Sequence, residues 1–470
     1  MKTHSVKYNF IMKSISMVTS ILVPLIVYKR VCPILQPQGV GAVNFAQSAV
    51  YYFTMIAQLG IPLYGIRECA KLRNDREALS RTACEILKLN AITCAFAYLL
   101  FFLCLVSVPQ FRADQTLFLV MSASILLNVI GVEWFYSALE MYDRMMVLSL
   151  GARLLMLLGT FLLVRQQSDY VFYGAMLVLG AIGWGIVNFA ALGKYIDFRA
   201  GRNGNIRKHV KPVLVFFAMS VATTVYTQMD SLMLGFMKGT VENGYYDAAV
   251  KVKMLLISLI TSLGTVIMPR ASYYLEQGQR EAFRKVSAKA MDFVMAAAIP
   301  CCAYFLIFAR PTILFLSGDS FLNSVSPMRY IMPTVILVGI TNITGIQMMI
   351  PLGRENGVLK AEIAGAVVNL IVNALLIPRL GASGAAIGTV IAEVAVLIVE
   401  FLGIRDLLPE IFGNISYARI LAGTAAASVV SGFLLKAELG NFLMLAVSAL
   451  VFFGIYCIIC APYYRKRLKE

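Results

Sequence analysis

Long, nearly charge-free apolar windows recur from one end of this 470-residue chain to the other, and they leave it few folds to choose from. Residues 213–235, 254–268 and 420–435 are examples. A bilayer core takes roughly 20 apolar residues per helix. Backbone in hydrocarbon must satisfy its own hydrogen bonds, which admits only helices and closed barrels. The windows lack the period-2 alternation of barrel strands. Charged residues make up 14% of the chain, against about 25% in soluble domains, too few to solvate a globular surface. The expected fold class is an all-α polytopic membrane protein.

Apolar windows between polar breaks give about fourteen expected spans, near residues 10–32, 40–62, 84–108, 114–138, 146–164, 170–193, 212–236, 247–268, 290–309, 327–350, 360–378, 383–403, 417–435 and 441–461. With the N-terminus on the cytoplasmic side, 27 lysines and arginines fall in inside segments and 8 in outside ones. That asymmetry orients the chain with both termini cytoplasmic. It also accounts for the net charge of +16. In a soluble protein such a balance suggests nucleic acid; here it sets orientation and meets anionic lipid headgroups. The basic start (Lys2, Lys7, Lys13) is followed by an apolar stretch broken by Pro24, Lys29 and Arg30, with no small-residue cleavage site, and reads as an uncleaved first span.

The longest loops between spans, near 63–83, 194–211 and 269–289, are too short to fold as domains, and no Gly-x-x-x-x-Gly-Lys-Ser/Thr loop is present. Transport would therefore draw on a gradient. Nine cysteines lie in or beside apolar segments; Cys457 and Cys460 have CxxC spacing but no histidine nearby, so they read as packing residues and no metal is expected. The stretches from Gly41 to Arg67 and from Gly244 to Arg270 look alike at an offset of 203 residues, with Leu59-Gly60 and Leu263-Gly264 in step. An offset of six spans keeps both copies in one orientation, which predicts two halves about an axis along the membrane normal with a cavity between them.

Four segments carry a resemblance: Gly60-Ile-Pro-Leu-Tyr-Gly-Ile-Arg-Glu-Cys-Ala-Lys71; Glu133-Trp-Phe-Tyr-Ser-Ala-Leu-Glu140; Gly244-Tyr-Tyr-Asp-Ala-Ala-Val-Lys251, continuing to Arg270; and Pro351-Leu-Gly-Arg354 through Asn369 and Asn373 to Pro378-Arg-Leu-Gly-Ala-Ser-Gly-Ala-Ala386 and Glu393. In order and spacing they resemble the polysaccharide (O-antigen, capsule and exopolysaccharide repeat-unit) flippases of the multidrug/oligosaccharidyl-lipid/polysaccharide exporter superfamily. The chain departs from the pattern at Ser137-Ala138, where the family often has glycine. The resemblance implies two six-helix lobes (1–211 and 212–403), two further C-terminal helices with a basic tail (404–470), and alternating access. It also implies movement of an undecaprenyl-diphosphate-linked oligosaccharide to the outer leaflet of a bacterial plasma membrane, beside other glycan-assembly proteins.

An ionisable group inside a span costs roughly 2.5–3.5 kcal/mol on insertion scales and calls for a reason. A diphosphate needs cations, and Arg153, Lys251, Lys253 and Arg329 could supply them. Sugars need amides, hydroxyls and aromatic faces, available from Asn44, Gln47, Tyr51, Tyr52, Tyr226 and Gln228; Asn44, Gln47 and Tyr51 share a helical face. Each has a plainer reading. Asp247 and Lys251 can neutralise one another at i, i+4; Lys251 and Lys253 point about 200° apart; Arg329 can snorkel. Asp230 stands out, with no cation within one turn, as a site for proton or sodium coupling; Asp247, Glu133 and Glu393 are further ion-coupling candidates. No cofactor and no nucleic-acid partner are expected. The alternatives are a multidrug/cation antiporter of the same superfamily, which a cation flux assay would reveal, and a membrane-embedded glycan polymerase or glycosyltransferase. Against the latter, the chain has no long external loop or carboxylate cluster at a membrane face, and only two histidines, His4 and His209.

Overall fold

The computed structural model describes residues 6–201, 205–262, 264–413 and 415–467. Those residues are largely helical, with no strand among them. Nine helices among them are long and apolar enough to cross a membrane, and two pairs bent by 43° bring the number to eleven if each pair is one span. The chain forms two compact units, Met1–Phe236 and Met237–Glu470.

In the first unit the opening helix, Val6–Gln58, runs for 53 residues. At 1.5 Å per residue it would reach about 80 Å, far beyond a hydrocarbon core of about 30 Å. It is broken at Gln36 (φ 56°, ψ 177°), between Pro33 and Pro37, so it serves as two arms. Helices Ile61–Lys71, Arg76–Ser107, Gln115–Ile130, Glu133–Ala138 and Tyr142–Leu163 follow, then the bent pair Tyr170–Ile182 and Gly185–Leu192, and finally Arg207–Met237. Asp75 starts its helix by accepting hydrogen bonds from the Glu77 and Ala78 amides. Helix Tyr142–Leu163 buries only Ala152, Met156 and Thr160, one residue per turn, while Leu155 and Leu162 stay about 60% exposed (58% and 62%). A helix with so narrow a buried stripe and so apolar an outer face is built for lipid rather than water.

The second unit holds Thr240–Ser262, Gly264–Glu276, Arg280–Ile307, Val325–Ile331, Thr334–Thr341, Glu355–Leu380, Ala382–Gly403, Tyr417–Gly432 and Asn441–Arg467. Residues Asn342–Met349 form a π-helix continuing Thr334–Thr341. Such segments are rare and frequent at functional sites. The last helix is tied to Arg280–Ile307 by tyrosines: the Tyr456 hydroxyl donates to the Ala296 carbonyl (2.7 Å) and Tyr304 to that of Leu445 (3.0 Å), around Phe308 and Phe452.

Candidate functional site

Two elements of the first unit carry most of the polar candidates: the second arm of Val6–Gln58, and Arg207–Met237. Asn44 Nδ2 donates to Ser231 Oγ (3.1 Å), and Ser48 Oγ donates to Gln228 Oε1 (3.2 Å). Asp230 is buried, and Tyr52 lies within its electrostatic reach. Phe45 fastens this end of the pair, edge-on to Phe118 and Phe236, where Gly235 has no side chain to obstruct the ring.

Between the same two elements lies a cleft of about 310 Å³, lined by Tyr51, Gln58, Ser220 and Thr224 with Met55, Pro62 and Leu63. Its polar groups are a phenol, a carboxamide and two hydroxyls, a set that can both donate to and accept from sugar hydroxyls while Tyr51 offers a ring face. Gln58 is held by Asn128 (3.2 Å), and the Ala57 carbonyl accepts from Asn90 (2.8 Å) and Thr93 (2.6 Å). Leu59 and Gly60 then take left-handed backbone (φ 44° and 73°), and the chain turns into Ile61–Lys71.

Tyr51, Tyr52, Asn44, Gln228 and Asp230, singled out from the sequence, are thus brought to one helix pair. Gln47 is exposed and does not line the cleft, Arg153 is half-buried on Tyr142–Leu163, and Glu133 is exposed at the start of its short helix. The side chain of Tyr226 lies outside the described residues. In the second unit Lys251 is a little under half exposed and pairs with Asp247 at 3.5 Å, whereas Lys253 is buried, as their angular separation requires. Arg329 is exposed and Glu393 buried. Gln58, Ser220 and Thr224 were not among the sequence candidates; Gln58 follows Tyr51 by seven residues on one helix face, a signal that could have found it. Among the described residues no three His, Cys, Asp or Glu side chains are grouped to hold a metal.

The motif segments pack against one another within each unit. In the first, a Cβ on Gly65 would sit 2.6 Å from Trp134, so the two motifs meet through the missing side chain. Tyr136 donates to the Asn188 carbonyl (2.7 Å), and Arg73 pairs with Glu140 (3.1 Å). Nearby, Glu85 is fully buried and takes Lys208 Nζ (2.7 Å), His209 Nε2 (2.8 Å) and the Asn205 amide (2.9 Å), while His209 Nδ1 meets the Tyr64 hydroxyl at 2.6 Å. In the second unit Glu242 accepts from the Ala382 amide (2.7 Å), Tyr246 bonds Thr389 (3.0 Å) and Asn373 donates to Asn369 (3.0 Å). Arg354 forks onto Asp406 (3.0 and 3.3 Å) and also donates to the Gly403 carbonyl (2.7 Å) that ends helix Ala382–Gly403. The Arg354 hydrogen bonds hold the Asp406 carboxyl below its ordinary range, and Asp406 in turn raises Arg354.

The model of a family described as polysaccharide biosynthesis protein matches residues 6–275, more than half of the chain. The chain belongs to that family. A Shigella dysenteriae protein named as an O-antigen transporter is 25% identical over 384 residues, covering 80% of this chain and 94% of that one. The lipid II flippase MurJ, in an inward closed conformation, superposes with a TM-score of 0.76 over 99% of this chain and 100% of its own, at 15% identity. An inward-facing multidrug resistance MATE family transporter of the MOP superfamily gives 0.67 over 84% and 95%, at 17% identity. The polysaccharide-flippase resemblance read from the four motifs is borne out, and the fold is that of MurJ and the MATE transporters. This family member is a multi-pass membrane protein.

Proposed function

We propose that this chain is a flippase that carries polyprenyl-diphosphate-linked oligosaccharide repeat units from the cytoplasmic to the outer leaflet of a bacterial plasma membrane. One observation carries the reading. A member of the polysaccharide biosynthesis family keeps, within a bundle faced with leucine, isoleucine and phenylalanine, a cleft whose polar groups are suited to sugar hydroxyls. The transporter name of its Shigella relative supports the same cargo class.

In this reading the fourteen spans form two six-helix lobes and a C-terminal pair, with both termini cytoplasmic, and they work by alternating access. Tyr51, Gln58, Ser220 and Thr224 receive sugar, with Tyr52, Asn44, Tyr226 and Gln228 on the same two helices; the groups offered for the diphosphate are Arg153 in the first unit and Lys251, Lys253 and Arg329 in the second, and the carrier is undecaprenyl. An ion gradient acts through Asp230, with Asp247, Glu133 and Glu393 as further coupling groups. The protein is a transporter and performs no chemistry on its cargo.

Deletion of the gene followed by lipid analysis tests this. Accumulation of one lipid-linked repeat unit on the inner leaflet is expected, together with loss of surface glycan. Normal glycan and no accumulated lipid overturn the reading. Asp230→Asn is expected to leave protein abundance unchanged and to impair export; normal export in that variant removes Asp230 from the mechanism.

A further inference from the structure

The π-helix of the second unit carries Thr344, and opposite it on helix Ala382–Gly403 stands Glu400, a carboxyl that the transport reading leaves unused. Glu400 is 3% exposed. Among the described residues its one hydrogen-bond partner is the Thr344 hydroxyl, and no lysine, arginine or histidine lies within ion-pair distance. The groups that bear on it electrostatically are two more carboxyls, Glu393 two turns earlier on its own helix and Glu362 on the neighbouring helix Glu355–Leu380. Gly345, next to Thr344, leaves the carboxyl room that a Cβ would fill.

The proton count at Thr344 sharpens the point. Its hydroxyl also lies 3.1 Å from the Ile340 carbonyl, in donor geometry. A hydroxyl has one proton and two lone pairs. With Glu400 ionised, the Thr344 proton goes to the carboxylate as its one hydrogen bond, and the Ile340 carbonyl is left with its backbone amide alone. With Glu400 protonated, its O–H donates to Thr344 Oγ1, which donates to Ile340, and each group is satisfied. Energetics agree, because an ionised carboxylate buried without a cation is strongly disfavoured.

We propose that Glu400 and Thr344 form a proton-binding site of the second unit, in which Glu400 carries the bound proton. The site lies three residues before Gly403, where the helix ends and Arg354, paired with the partly exposed Asp406, caps it. It is a further proton site beyond the transport reading, and its test needs no cargo.

The purified protein in liposomes should show an infrared band of a protonated carboxyl at neutral pH that is lost in Glu400→Gln. Dicyclohexylcarbodiimide, which adds to protonated carboxyls in apolar surroundings, should modify the peptide containing Glu400 at neutral pH, and less as pH rises. Thr344→Ser, which keeps the hydroxyl, should retain both signals. Absence of any carboxyl band that Glu400→Gln removes at neutral pH overturns the proposal, as does a band that appears only in acid. The infrared reading does not depend on reagent access, and neither measurement changes if the cargo proves to be something other than a lipid-linked glycan.

Discussion

Replacing Gly60 by alanine tests the packing that positions the cleft. Gly60 has φ +73°, and a Cβ there would lie 2.5 Å from the Phe217 amide nitrogen, 2.7 Å from the Phe216 carbonyl carbon and 2.8 Å from the Val213 oxygen. All three are backbone atoms of helix Arg207–Met237, so no rotamer change relieves the clash. The left-handed conformation costs an alanine about 1–2 kcal/mol, and overpacking of a close contact adds roughly 1–3 kcal/mol. A total of about 2–5 kcal/mol is a large share of a typical stability of about 5–15 kcal/mol. The assay is thermal unfolding in detergent, followed by fluorescence-detected gel filtration, beside two reference glycines. Gly278 has φ +70° but nothing within 4 Å of its Cβ; Gly278→Ala should lose only the conformational part, about 1–2 kcal/mol. Gly151 is helical with open space around it; Gly151→Ala should gain about 0.5–1 kcal/mol from helix preference. If Gly60→Ala melts no lower than Gly278→Ala, the close helix contact is not what holds residue 60, and the argument fails.

Asp406 provides the pH dependence. Its carboxyl is held below the ordinary value of about 3.9 by Arg354. A lowered native pKa gives stability that is complete above the unfolded value and is lost as pH falls through the native one. The wild type should therefore exceed Asp406→Asn above about pH 4, with the two converging below it. Because the pair is about half-exposed the difference should be at most about 1 kcal/mol, and parallel melting curves from neutral to acid pH would refute the assignment. Glu85→Ala removes the anchor for Lys208, His209 and the Asn205 amide. Breaking a fully buried pair costs about 3–5 kcal/mol, and since Lys208 can turn to water, about 2–3 kcal/mol is expected here, read as a lower melting temperature; an unchanged one would mean that this network does not fasten the start of helix Arg207–Met237.

The helical, membrane-spanning class was legible because it follows from a solvent constraint: windows this apolar have one stable backbone solution in lipid. The four motifs were legible as strings, but what they do was not. Gly65 is needed because Trp134, 69 residues away in sequence, occupies the space of its side chain. Arg354 is needed because it ends a helix that starts at Ala382. Neither partner can be named from local pattern. The break at Gln36 was hidden for the opposite reason, since one residue of left-handed backbone between two prolines leaves no polar loop to read.

The candidate site residues divide along the same line. Asp230, Tyr51 and Tyr52 were visible as polar intrusions into an apolar run, a property of one helix alone. Ser220 and Thr224 were not, because a hydroxyl in a membrane helix can bond its own backbone and need signal nothing; Ser220 does bond the Phe216 carbonyl, yet it lines the cleft. Glu400 lies three residues before its helix ends, where a carboxylate ordinarily reaches water, and only burial against the π-helix separates it from a surface glutamate. Intramembrane charge read from sequence therefore finds the groups a helix cannot explain by itself, whereas the groups that need a second helix to acquire a role become visible only once the bundle is closed.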